Sequence, residues 1–79
     1  MAEPLVVDAG ERSVEALLAA VEEGRRVVVR TEFLGSDHEV TLRRDAGTYY
    51  CDTPTRLHKH ESAEEMRQCL LEQGYGHGG

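Results

Sequence analysis

Seventy-nine residues, 15 acidic against 9 basic, give a net charge of −6 and an apolar share of 39%. That allows one small domain with a lean core, and it excludes a chain disordered by composition. The acidic balance sets polyanion binding behind other readings, and two cysteines are too few for a disulfide scaffold. No apolar run nears the ~18–20 residues of a membrane span. Met1-Ala2-Glu3-Pro4 carries no basic flank, so no secretory leader is expected and the chain reads as cytoplasmic. The basic residues are eight Arg and the single Lys59. An acid-rich, Lys-poor surface suits a protein in concentrated salt, and a GC-rich genome gives the same Arg bias.

Leu5-Val6-Val7 is a short apolar run of strand type, broken by Asp8-Ala9-Gly10. Ser13 is a candidate N-cap for a helix over about 13–23. Val14, Leu17, Leu18 and Val21 line one face of it, and Gly24 ends it. Residues 26–34 alternate, with Val27, Val29, Thr31 and Phe33 on one side. Gly35-Ser36-Asp37 reads as a turn, 38–43 as a strand, 44–47 as a second turn and 48–53 as a third strand, stopped by Pro54. Residues 56–60 fit either an edge strand or a loop. Ser62 with Glu65 forms a capping box for a second helix ending near Gln73-Gly74, with Ala63, Met66, Cys69 and Leu70 as its apolar stripe.

A two-residue Ser36-Asp37 loop and a four-residue Arg44–Gly47 loop set Phe33 opposite Val40 and Val40 opposite Cys51. Thr31 then opposes Leu42, and Leu42 opposes Tyr49. On the other face Arg30 opposes Arg43, and Thr41 opposes Tyr50. The expected fold is α+β, a two-layer α/β sandwich in β-α-β-β-β-(β)-α order. Its sheet is mixed but mostly antiparallel, with both helices on the Val29/Leu42/Tyr49 face. The domain spans 1–74, and 75–79 reads as a flexible tail. The αβββα part of the order resembles that of double-stranded-RNA-binding domains. The second helix has one basic residue, Arg67, so no function is carried over. The Gly78-Gly79 ending is similar to the diglycine tail of ubiquitin-like modifiers, but a helix precedes it here instead of a strand.

Three function readings follow. The first is a non-enzymatic interaction module. Its open sheet face, with Val28, Arg30, Leu34, Arg43 and Tyr50, meets a protein partner or a second copy in a homodimer. Like charges at Arg30 and Arg43 argue that this face is not chosen for stability alone. The second is zinc held by Cys51, His58, His60 and Cys69. All four residues are of types that bind zinc, but the Cys-x6-His-x-His-x8-Cys spacing matches no zinc knuckle. The bland alternative is two buried thiols with two exposed imidazoles. A Cys51–Cys69 disulfide is conceivable across sheet and helix, although a cytosolic chain keeps its thiols reduced. The third reading is weak nucleic-acid binding on the same open face, where an aromatic lies among arginines. No phosphate loop and no nucleophile with an oriented base points to an enzyme.

Overall fold

The computed structural model describes residues 3–78, and for Phe33 the backbone alone. The elements are β1 (Leu5–Asp8), α1 (Val14–Glu22), β2 (Val27–Phe33), β3 (Ser36–Asp45), β4 (Thr48–Asp52), β5 (Leu57–His60) and α2 (Ala63–Gln73). They build one five-stranded sheet in the order β1-β2-β3-β4-β5. The β1–β2 pair is parallel because α1 carries the chain back between them. The other pairs are antiparallel. This is the α+β architecture that the sequence implies.

Both helices start where a hydroxyl takes up an orphan N–H. The Ser13 Oγ accepts from Ala16 N at 3.1 Å, and the Ser62 Oγ accepts from Glu65 N at 3.2 Å. The Glu65 carboxylate reaches back to the N–H of Glu61 at 3.2 Å, one residue earlier than in a standard capping box. Gly74 ends α2 in the left-handed region, φ 75°. Val14, Leu17, Leu18 and Val21 of α1 and Met66, Cys69 and Leu70 of α2 are buried against Val7, Val27, Val29, Val40, Leu42, Tyr49 and Cys51 of the sheet. On the outer rim, Arg67 of α2 donates to Glu15 of α1.

The strand registers differ from those expected. The β2–β3 loop is Leu34-Gly35, so Phe33 pairs with Ser36 in place of Val40. The β3–β4 loop is Ala46-Gly47, so Cys51 pairs with Leu42 in place of Val40. Both loops hold two consecutive residues at positive φ, 52° and 77° in the first and 51° and 83° in the second. That is the type I′ geometry, whose twist matches the flanking strands. Both displacements are even, so the described side chains that stay within the strands keep their expected faces.

Of the 56–60 segment, Leu57–His60 is the edge strand β5. The Thr53–Arg56 turn makes it, with the Thr53 hydroxyl donating to the Arg56 carbonyl and accepting its N–H, at 2.7 and 3.0 Å. Residues 75–78, expected in a flexible tail, instead pack against the start of α1. The Tyr75 side chain and Gly76 are buried. His77 forms a parallel bridge with Ser13, and its carbonyl accepts from Val14 N at 2.9 Å. Van der Waals contact and backbone pairing outweigh the tail's glycine content here. Met1, Ala2 and the final residue of the diglycine ending lie outside the described residues.

Candidate functional site: the open sheet face

Among the described residues no helix covers the second face of the sheet. Strand alternation and the registers order that face into rows running from β1 to β5. The central row reads Val6, Val28, Thr41, Asp52, Leu57. Val6 is 55% exposed and Leu57 42%, while Val28 and Thr41 are half-buried by their neighbours. On one side lies the row Arg43, Tyr50, Lys59. The Arg43 guanidinium sits 4.2 Å from the Tyr50 ring centroid, a cation–π contact that fixes both side chains. On the other side lies the row Asp8, Arg30, Glu39, and beyond it Glu32 with Asp37.

This arrangement corrects the expected neighbours. Arg30 opposes Glu39 and adjoins Asp8, so the Arg30–Arg43 repulsion does not exist. Thr41 opposes Asp52, and Tyr50 opposes Arg43. Of the five residues expected on this surface, Val28, Arg30, Arg43 and Tyr50 lie on it. Leu34 is at the hairpin tip, 89% exposed, because it belongs to the loop. Val6, Leu57 and Lys59 also lie on the face. Period-2 alternation places Val6 on this face once β1 is in the sheet, and Leu57 and Lys59 once the 57–60 segment is a strand.

The expected metal residues gather at another place, the corner between β4, β5 and α2. His58 is the cross-strand partner of Cys51, and His60 that of Tyr49. The two imidazoles stack at 6.4 Å, and Cys51 and Cys69 lie in the same buried core cluster. His58, His60 and Cys69 line one shallow cavity of about 340 Å³ with Glu65 and Glu72. The His60 Nε2 is buried and has no hydrogen-bond partner. Among the described residues, however, no three of His, Cys, Asp and Glu converge enough to hold a metal ion. Burial pushes the Cys51 thiol up to about 12, and it raises Cys69 as well. Both cysteines are free. The chemistry of this corner is that of two protonated thiols in a core, flanked by half-buried imidazoles.

A larger cavity of about 490 Å³ lies beyond the helices at the far end of the sheet. Ala9, Thr31, His38, Val40, Pro54 and Tyr75 help to line it. Among the described residues no helix is long and apolar enough to cross a membrane.

The molecule is thus a small α+β domain with one covered and one uncovered sheet face. Residues 1–78 match DUF8001, a family of unknown function, and the chain belongs to that family. No curated protein and no solved structure matches it.

Proposed function

We propose that this protein is a non-enzymatic protein–protein interaction module of the cytoplasm, binding a protein partner or a second copy through its open sheet face. One observation carries the reading. Val6, Val28 and Leu57 stand in the central row with Thr41 and Asp52, the Arg43–Tyr50 pair lies beside it, and among the described residues no helix packs upon it. Aromatic and Arg side chains over an apolar centre are the composition of binding hot spots. A small core gains from any partner that buries such a face. A photoreactive amino acid at Val28 tests the reading, with Ala19 on the exposed side of α1 as control. The reading expects protein adducts from position 28 and none from position 19. Adducts from position 19 alone would replace it with a helix-side interface.

A second reading, a regulatory zinc site at Cys51, His58, His60 and Cys69, is favoured by the unpartnered His60 Nε2 at the edge of that cluster. It ranks lower because the donors do not converge. About one zinc per chain, with unfolding on chelation, would put it first. Nucleic-acid binding by Arg43, Tyr50 and Lys59 ranks third against a net charge of −6. Salt-dependent retention of an oligonucleotide, abolished by Tyr50→Glu, would raise it.

A further inference from the structure

The two edges of the sheet differ in what their backbones offer. In β1 the Leu5 and Ala9 N–H groups donate to the carbonyls of Arg26 and Arg30, so Val6 and Asp8 face outward. Glu11 closes the outer side of Asp8. Its carboxylate accepts the Asp8 N–H at 3.0 Å, and its own N–H donates to the Asp8 carbonyl at 3.0 Å. Pro4, just before the strand, has no N–H to give. Within β1 that leaves Val6 alone with a free outward donor, so this edge is guarded. In β5 the Thr53 N–H donates to the Arg56 carbonyl at 2.9 Å, and the same register runs on to Tyr49 opposite His60. Bonded and unbonded pairs alternate along an antiparallel ladder. Arg56, His58 and His60 therefore bond to β4, while Leu57 and Lys59 turn their N–H and C=O groups to the outer edge. Among the described residues no group takes these up. The Glu65 carboxylate ends the stretch by accepting the Glu61 N–H.

We infer that β5 accepts an extended acidic segment of a protein partner as a sixth strand, antiparallel to β5. This concerns the rim of the sheet and holds whatever sits on the open face. The added strand pairs its N–H and C=O groups with those of Leu57 and Lys59, the main-chain contact that gives strand addition its affinity. Charge names the occupant. Arg56–His60 holds an arginine, a lysine, two histidines and no acid, in a chain of net charge −6. The incoming residue opposite Lys59 projects on the open face, at the end of the Arg43–Tyr50–Lys59 row, where an acid is favoured. Two positions on, opposite the part-exposed Leu57, an apolar side chain is favoured. The residue between them lies on the helix side next to His58, and the one that follows meets Arg56. The preferred segment therefore reads acid, small polar, apolar, acid. A second copy does not fit this edge. Two-fold pairing of β5 centred on His58 sets Arg56 against His60 and Lys59 against Leu57, with no acid to compensate. Lys59 thus guards β5 against basic strands and selects an acidic one.

Amide hydrogen exchange of the full chain, read by NMR, tests this. The probe is the acetylated, amidated peptide Ser-Thr-Glu-Thr-Val-Glu-Ser, and the control peptide has Lys in place of both Glu. At saturation the acidic peptide is expected to slow exchange at Leu57 and Lys59 about tenfold or more while leaving Val6 unchanged. The control is expected to bind about tenfold more weakly. Lys59→Pro removes the outward N–H and leaves the β4 ladder intact, since proline is tolerated where the N–H faces solvent, and it should abolish the slowing at Leu57. Lys59→Glu keeps the backbone and should reverse the preference between the two peptides. Circular dichroism first shows that both variants are folded. Unchanged exchange at Leu57 and Lys59 in millimolar acidic peptide overturns the inference. Equal protection by both peptides overturns the acidic partner. Protection that needs no peptide and rises with protein concentration overturns it in favour of a second copy.

Discussion

Leu34 and Ala46 both hold a left-handed backbone, φ 52° and 51°, each just before a glycine. A side chain there costs about 1 kcal/mol, and Asn is the residue that tolerates it best. Ala46→Asn is therefore expected to raise stability by about 0.5–1 kcal/mol, read as a higher urea midpoint with an unchanged slope. A lower midpoint would show that the turn is not type I′. Cys51 makes a second residue-level prediction. Its thiol is held near 12 in the fold against about 9.0 in an open chain. Below pH 9 both states keep the proton, and stability is full. Between 9 and 12 only the unfolded chain gives it up, so stability falls by about 1.4 kcal/mol per pH unit. The raised Cys69, Tyr49 and Tyr75 act in the same direction. Urea unfolding from pH 8 to 11 should show the decline, and Cys51→Ala should flatten it. An identical slope in Cys51→Ala would refute the assignment.

The C-terminal segment shows where element-level reasoning reached its limit. A methyl group at Gly76 would lie 2.9 Å from Leu17 Cδ1 and 3.1 Å from the Val14 backbone. Gly76→Ala is accordingly expected to cost about 1–3 kcal/mol, seen as a lower melting temperature. An unchanged melting temperature would mean that the segment does not dock. Gly-His-Gly-Gly read as a tail because composition reports conformational entropy and is blind to one tight backbone contact. The helices were legible because caps and apolar stripes are local signals. Val14, Leu17, Leu18 and Val21 are all buried as their spacing implies. The sheet's two faces were legible through period-2 alternation. Register was not, since Leu34-Gly35 and Ala46-Gly47 lack the usual Asn or Asp of a type I′ turn. Val28, Arg30, Arg43 and Tyr50 therefore lie on the face expected of them, while their cross-strand neighbours differ. Arg30 faces Glu39 because a four-residue slip preserves the face but changes the neighbour.

At the scale of the whole molecule, the net charge of −6 divides unevenly. Glu15, Glu22, Glu23, Glu64, Glu65 and Glu72 make the helical side acidic, whereas the sheet face carries basic and acidic rows side by side. The interaction reading uses the mixed face and leaves the acidic one to water. Tyr50 sits in the middle of the open face, between Arg43 and Lys59, with its ring under Arg43. Tyr50→Glu should therefore leave the core untouched and weaken binding on this face, because it removes the aromatic ring that pairs with Arg43. The most direct measurement is the yield of Val28 cross-linking in the wild-type background and with Tyr50→Glu. The account predicts strong adducts in the first, loss in the second, and the same circular dichroism spectrum in both. Equal yields in the two backgrounds would contradict it.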